Sequence, residues 1–212
     1  MSNNHGHVIR TAAAARAIVA PLRQEIVDAL DAAGPCSIAR LAELLGRPAD
    51  SLYFHLRKLE RVGLVIETER RREGRHVFRV YDVPAHPVSL RYGEPIRAAD
   101  LSGIARSAFR AASKEFSQAA RDPEIVTEPG PRRALWMGRA KGWLTERELA
   151  QANTLLGELL ALVRAANARG GQRDGARLFG VTFGLAPVPV VLRGTPKRAA
   201  TQRGPRRKKG AS

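Results

Sequence analysis

Residues 41–65, LAELLGRPADSLYFHLRKLERVGLV, carry side chains with the chemistry to bind a nucleic acid. Leu52, Leu56 and Leu59 recur at spacings of four and three, which places them on one buried face of a helix. The opposite face combines a carboxylate, a hydroxyl, an aromatic ring and three cations, carried by Asp50, Ser51, Phe54, Arg57, Lys58 and Arg61. Such a face can contact base edges and hold phosphates.

Two helical patterns position these residues, and they meet at Gly46 in a helix-turn-helix. Ser37 is a suitable N-cap for a helix over residues 38–45, because its hydroxyl can accept from a free backbone N–H of the first turn. Gly46 supplies the left-handed residue that ends this helix. The second helix, residues 48–62, is predicted to be the recognition helix. An alanine-rich helical pattern over residues 11–33, with Pro21 near a helix start, ends at Gly34-Pro35 and precedes the motif.

A β-hairpin is expected after Gly63. Residues 64–68 and 76–81 are rich in branched and aromatic side chains, and the loop between them reads ERRREGR. The loop is predicted to carry Arg70, Arg71, Arg72 and Arg75 outward. Four arginines next to a helix-turn-helix favour contact with phosphates or the minor groove over a solvated turn.

Residues 41–65 resemble the ArsR-like winged helix-turn-helix regulators of bacteria. The resemblance rests on Tyr53, Phe54, His55 and Leu56, followed by Lys58, Leu59 and Glu60, and it extends over about residues 20–84. It implies that the hairpin is a wing, that the partner is duplex DNA, and that trailing helices pair two subunits. The candidate DNA-binding residues are Ser37, Asp50, Ser51, Tyr53, Phe54, His55, Arg57, Lys58, Arg70, Arg71, Arg72 and Arg75.

Prolines at 84, 87 and 95 mark a linker, beyond which a second region begins. Residues 100–121 carry an amphipathic helical stripe. Residues 134–144 and 179–185 are interpreted as strands. Thr145 and Glu148 have capping-box spacing at the start of a further helix, which runs to Gly170-Gly171. The predicted organisation is a disordered N-terminus (1–10), a winged helix-turn-helix domain (11–84), a linker (85–99), a dimerisation or effector region (100–192) and a disordered basic tail (193–212).

The second region also holds most of the large aromatic side chains. They either line a pocket for a small apolar effector or form the core of that region. The residues are Trp136, Met137, Trp143, Phe179 and Phe183.

Composition and the motifs that the chain lacks narrow the function further. The net charge is +16 and the pI is about 11.3, which predicts a polyanionic partner, and residues 193–212 hold eight cations and no anion. The single cysteine, Cys36, excludes a disulfide framework, and its expected role is that of a small buried hydrophobe. No apolar run reaches the roughly 20 residues of a membrane span, and the polar N-terminus, MSNNHGHVIR, lacks the apolar core of a signal peptide. Motifs for phosphate loops, nucleophile elbows, zinc proteases and dinucleotides are absent from the sequence, as are the ligands of metal-sensing relatives.

These observations predict a mainly α protein with small β elements, in which a winged helix-turn-helix domain precedes a helical region. The expected function is a cytoplasmic, nucleoid-associated transcriptional regulator without enzyme activity, metal or cofactor. It binds duplex DNA as a homodimer, and repression by promoter occlusion is the expected outcome. The alternative is a sequence-indifferent nucleoid or scaffold protein whose basic tail supplies most of the affinity.

Overall fold

A computed structural model describes residues 6–73, 76–93, 95–168 and 175–189 of the chain. In these ranges the protein is mainly helical, with six α-helices and two small sheets. Internal contacts divide it into two units, residues 1–182 and 183–212. All elements described below belong to the first unit.

Helices α1 (Ala12–Ile18) and α2 (Pro21–Ala33) precede the helix-turn-helix. The backbone is extended at Ala20, so the single helical pattern expected over residues 11–33 is in fact two helices. The Thr11 hydroxyl caps α1 by accepting from Ala14 N at 3.1 Å, and Pro21 occupies the first turn of α2, where a missing N–H has no cost.

The motif itself consists of α3 (Ile38–Leu45), a 3₁₀ turn (Ala49–Ser51) and α4 (Tyr53–Arg61). The predicted bounds of α3 are confirmed. Gly46 ends α3 with φ 59° and ψ 42°, a left-handed conformation that a side chain would strain. The expected helix over residues 48–62 instead begins with the 3₁₀ turn and has its α-helical part nine residues long.

A three-stranded antiparallel sheet is formed by β2 (Cys36–Ser37), β3 (Ile66–Glu73) and β4 (His76–Asp82) in the order β2-β4-β3. Strand β3 is longer than predicted, because residues 69–73 pair with β4 instead of forming a loop. A register shift between Glu67 and Glu69 marks a bulge.

The N-terminal stretch and the predicted linker are packed against this domain. Strand β1 (Val8–Ile9) pairs in parallel with β5 (Ser89–Leu90), and Ile9 is 3% exposed. Ile96 is also buried. The structure therefore differs from the expected disorder over residues 1–10 at β1, and from the expected free linker over residues 85–99, because apolar side chains in both segments join the core. Residues 1–5 lie outside the described part.

One hydrophobic core unites these elements. Its fully buried members include Ile26 and Leu30 of α2, Leu41 of α3, and Leu56 and Leu59 of α4. Cys36 is buried in this core, as expected, and desolvation raises the pKa of its thiol.

Helix α5 (Ala98–Ala119) confirms the helix predicted over residues 100–121 and reaches the same core through Ile104. Its buried face differs from the predicted stripe, since Gly103, Ile104 and Ser107 are buried while Ala105 and Phe109 are exposed. Gly103 of α5 faces Val19, and a Cβ at Gly103 would lie 2.9 Å from Val19 Cγ1. The small residue therefore allows α5 to approach the turn between α1 and α2 closely. At the N-terminus of α5 the buried Asp100 pairs with Arg97 Nε at 3.0 Å.

Helix α6 (Glu146–Ala168) begins at the predicted capping box. Glu148 N donates to Thr145 Oγ1 at 3.3 Å, and Thr145 N donates to Glu148 Oε2 at 2.8 Å. The strands predicted over residues 134–144 and 179–185 are wrong, because both segments lack regular secondary structure. Alternating side chains do not make a strand without a neighbouring strand to supply its hydrogen bonds.

Candidate nucleic-acid interface

Helix α4 separates its buried face from its exposed face completely. Leu52, Leu56 and Leu59 are 0% exposed and anchor the helix on the core. The opposite face is open to solvent and carries Asp50, Ser51, Tyr53, Phe54, Arg57, Lys58 and Arg61. The structure thus brings these side chains together on one face, as their spacing in the sequence predicts.

Phe54 is the largest exposed apolar side chain on this face, with 53% of its surface accessible. Lys58 Nζ lies 4.5 Å from the centroid of its ring, within the range of a cation–π interaction. The face therefore offers an apolar ring beside a cation, which suits contact with a thymine methyl group next to a phosphate.

Arg57 and Arg61 are also exposed on α4. Neither guanidinium has an ion-pair or hydrogen-bond partner among the described residues. Both retain all their donors for a phosphate or a base edge.

The two serines of the candidate set hold the motif in shape. Ser37 Oγ accepts from Arg40 N at 3.2 Å, which caps α3. Ser51 Oγ donates to Pro48 O at 2.6 Å and closes the 3₁₀ turn before α4. Ser51 lies on the exposed face and can still accept a hydrogen bond, whereas Ser37 acts as the cap that the sequence indicated.

His55 is partly buried beside the exposed face rather than on it. Its ring meets Phe54 edge-on, with centroids 5.4 Å apart, and its Nδ1 is buried without a hydrogen-bond partner among the described residues. Desolvation lowers the pKa of His55, and the charges of Arg23, Lys58 and Arg47 lower it further. A neutral imidazole in this position supports the Phe54 ring and contributes no charge for a phosphate.

Arg47 extends the cationic surface around the motif and was missed by sequence reasoning. It follows Gly46, and its Nη2 pairs with Glu25 Oε2 of α2 at 3.2 Å. Its position in the turn, directly before Pro48, was the sequence signal that could have identified it.

The β3–β4 hairpin carries arginines as expected, but on its strands. Arg70 pairs with Glu67 through two hydrogen bonds of 2.6 and 3.2 Å. Arg79 lies opposite Arg70 across the strands, and its Nη1 is 3.4 Å from Glu67 Oε2. One carboxylate thus holds two like-charged side chains together, and Arg79 is a cation that the loop-based prediction missed.

Of the other predicted wing arginines, the structure describes the side chain of Arg72 only. Arg72 is exposed on the same strand as Arg70, two residues away and therefore on the same side of the sheet. For Arg71 the described part includes only the strand backbone, and Arg75 lies outside the described residues.

Each of the residues proposed for an effector pocket is exposed. Trp136, Met137 and Trp143 are 70%, 77% and 84% exposed, and Arg133 covers the ring of Trp136 at 4.1 Å. Phe179 and Phe183 are also exposed. None of the five lines the cavity beneath β1 or the hollow of similar volume near Pro129. Their exposure also argues against the alternative, a core of the second region, because side chains in a core lose most of their accessible surface.

Metal binding and membrane insertion find no support in the described residues. These residues contain no group of three or more His, Cys, Asp or Glu side chains arranged to hold a metal ion. Within the same ranges, each helix is too short or too polar to cross a bilayer.

Comparison with known proteins agrees with this geometry. A family model described as a helix-turn-helix domain matches residues 18–68, from the end of α1 to the start of β3. The match covers about a quarter of the chain. A search of curated proteins found none that matches the chain. The protein therefore contains a helix-turn-helix domain, and this domain suggests a DNA-binding regulator.

Proposed function

We propose that this protein is an ArsR-like transcriptional repressor that binds duplex DNA as a homodimer, with α4 in the major groove. The observation that carries the proposal is the exposed face of α4. Free cations and an exposed phenyl ring share that face, while the other face is fully buried. Exposure alone does not distinguish this ring, since Phe109 of α5 is equally exposed. Its position in the second helix of the motif, among cations that can reach phosphates, is what suits a base-reading helix.

The N-terminal part of the motif is proposed to read bases. Asp50 and Ser51 lie in the 3₁₀ turn, and Tyr53 and Phe54 begin α4, so all four are at the end of the helix that enters the groove in helix-turn-helix proteins. A carboxylate can accept from cytosine N4, a hydroxyl can bond to either type of base pair, and a phenyl ring can contact a thymine methyl.

The later turns of α4 and the hairpin are proposed to hold the DNA backbone. Arg57 and Lys58 are free to contact phosphates beside the groove. Arg70, Arg72 and Arg79 would serve as the wing, with Glu67 keeping two of them at a fixed separation. Because Glu67 neutralises part of this charge, we expect the wing to position the DNA and to add little unspecific affinity.

Dimerisation is proposed through α6. Leu155, Leu159 and Leu162 are 58%, 38% and 64% exposed and recur at spacings of four and three, so they form an apolar stripe on one side of the helix. An exposed stripe of this kind is typical of a helix that pairs with another protein surface. A dimer would present two copies of α4 to a palindromic site, and occupation of a promoter would repress transcription.

Selection of bound sites from random duplexes tests the proposal. Enrichment of a palindromic motif is expected. Arg57→Ala should then weaken binding to that motif and to unrelated duplexes alike, because the guanidinium is assigned to the backbone. The control is Arg110→Ala, which removes an exposed arginine of α5 that has no partner among the described residues and should leave DNA affinity unchanged.

A pool without any enriched motif would contradict the proposal. It would favour the second candidate, a sequence-indifferent binder that depends on the tail, whose eight cations make up half of the net charge. Equal losses of affinity in Arg57→Ala and Arg110→Ala would also contradict the assignment of α4 as the DNA-binding face.

A further inference from the structure

A cavity of about 160 Å³ lies beneath the N-terminal strand, on the side of α2 that faces β5 and α5. Its volume is comparable to that of an engineered cavity known to bind benzene. Most of its lining is aliphatic and includes Ile9, Ile18, Val27 and Ile104, and the polar groups come mainly from one side of α2. The cavity therefore has room for a small organic molecule with an apolar body.

Gln24 provides the first sign of a missing partner. Its side chain lines the cavity, and its Oε1 is buried without a hydrogen-bond donor among the described residues. Buried polar atoms are nearly always satisfied, since an unpaired acceptor loses its hydrogen bonds to water without replacement. A ligand that donates a hydrogen bond into the cavity would satisfy this atom.

Asp28 is a second polar side chain of the cavity without a partner in the described part of the chain. It lies one turn further along α2, lines the same cavity, and forms no ion pair or hydrogen bond among the described residues. Desolvation raises the pKa of Asp28, and the negative charges of Asp31, Glu115 and Glu25 raise it further. Asp28 is itself exposed to solvent, so a ligand can reach its carboxylate from outside the cavity.

The nearby cationic side chains, His86 and Arg47, already pair with other carboxylates and are not available to Asp28. Asp31 Oδ1 is already engaged by His86 Nδ1 and by Val88 N, both at 3.0 Å. Glu25, one turn before Asp28 on α2, is engaged by Arg47 Nη2 at 3.2 Å. Desolvation and the surrounding carboxylates raise the pKa of Asp28 to about 7, and a cation bound beside it would offset their repulsion.

We propose that this cavity binds a small organic cation, a protonated primary amine on an apolar body about the size of a benzene ring. The ammonium group would pair with the Asp28 carboxylate and donate to Gln24 Oε1, while the apolar body would fill the space between Ile9, Ile18 and Ile104. An amine carries three donors, enough for both acceptors at once.

The cavity is connected to the proposed recognition helix, α4, through the packing of α2. Helix α2, which carries Gln24 and Asp28, packs directly on α3 and α4, and Glu25 on the same helix holds Arg47 in the turn. A ligand that shifts α2 would therefore shift the base of α4. This regulatory role rests on the proposed function, whereas binding of the amine does not.

Methyl NMR of the full chain, with isoleucine methyl groups labelled, tests the binding without DNA. Benzylamine is the probe, and benzyl alcohol is its neutral control of equal size. Benzylamine is expected to shift the methyl signals of Ile9, Ile18 and Ile104, and to leave Ile66 of β3 unmoved. It should bind at least about tenfold more tightly than benzyl alcohol, since a hydrogen-bonded charge pair is worth more than a neutral hydrogen bond.

Asp28→Asn tests the assigned carboxylate with almost no change in shape. We expect it to reduce benzylamine affinity by about tenfold or more and to leave benzyl alcohol binding unchanged. The control is Glu43→Gln, which removes the same charge from α3 outside the cavity and should not alter either ligand.

Equal affinities of benzylamine and benzyl alcohol for the unmodified chain would overturn the proposal, whether or not Asp28→Asn folds. So would shifts confined to methyl groups outside the cavity, or an unchanged benzylamine affinity in folded Asp28→Asn. Because these measurements contain no DNA, their failure is distinct from a failure to select an operator.

Discussion

Replacing Phe54 by alanine should affect specific DNA binding more than stability. The ring is 53% exposed, so its removal opens no cavity in the core. Two interactions disappear within the protein. They are the contact with Lys58, worth about 0.5–1 kcal/mol at an exposed site, and the edge-on contact with the His55 ring, worth about 0.5–1.5 kcal/mol. Alanine favours the helix by a few tenths of a kcal/mol more than phenylalanine, which offsets part of this loss. The free energy of unfolding should therefore fall by no more than about 2 kcal/mol.

The effect on specific DNA binding should be larger. If the ring contacts a thymine methyl, its removal should cost about 1–3 kcal/mol at that base pair, which corresponds to a roughly 5- to 150-fold weaker affinity. Affinity for unrelated duplexes should change little, because the ring neutralises no phosphate. The specificity ratio should fall accordingly.

Fluorescence anisotropy on a selected operator and on a scrambled duplex measures both affinities, and urea denaturation measures stability. Phe109→Ala is the matched control, since Phe109 is 50% exposed on α5, outside the helix-turn-helix. It should reproduce the small stability change and leave both affinities unaltered. An unchanged specificity ratio in Phe54→Ala, or an equal loss in Phe109→Ala, would refute the assignment of Phe54 to base contact.

Three further predictions concern the dimer, the tail and a partly buried histidine. Leu155→Glu combined with Leu162→Glu should convert a dimer to a monomer in light scattering, because it places charges in the exposed stripe of α6; a dimer that persists would move the interface elsewhere. Deleting residues 193–212 should weaken operator and random DNA equally and reduce the log–log salt slope by about 0.9 for each phosphate that the tail had neutralised; parallel slopes would remove the tail from binding. Burial lowers the pKa of His86, but hydrogen bonds and charges from Asp82 and Asp31 outweigh this effect and raise the pKa above 6.5. The stabilisation from these contacts should therefore be complete below pH 6.5 and disappear as the pH rises through the raised pKa. Denaturation across this range should show a difference between wild type and His86→Gln that is larger at acidic pH, and a difference independent of pH would contradict the reasoning.

The features that the sequence predicted correctly depend on neighbouring residues. The Ser37 cap, the left-handed Gly46 and the capping box of Thr145 and Glu148 each involve groups within a few residues of one another. The buried stripe of α4 follows from helical periodicity alone. These patterns determine the local conformation, so the exposed face of the helix could be predicted without knowledge of the rest of the fold.

The features that it missed depend on residues distant in the sequence. Val8–Ile9 forms a strand only because Ser89–Leu90 lies beside it, about 80 residues later. The pairing of Arg79 with Glu67 requires the register of the hairpin, and a bulge at residues 67–69 alters that register. The predicted strand over residues 179–185 has the right alternation of side chains, but the described part of the chain provides no partner strand for it.

The arrangement of α4 relative to the hairpin depends on α2, which contacts both. His86 lies just beyond β4, and its two ring nitrogens are each 3.0 Å from a carboxylate oxygen, Nδ1 from Asp31 of α2 and Nε2 from Asp82 at the end of β4. Both nitrogens can donate at once only in the imidazolium form, which explains why the pKa of His86 is raised. On the other side of the helix, Glu25 holds Arg47 in the turn before α4. A change in the position or charge of α2 would therefore act on the hairpin and on the recognition helix together, so the spacing between the two proposed DNA contacts is controlled from a helix to which no DNA contact is assigned.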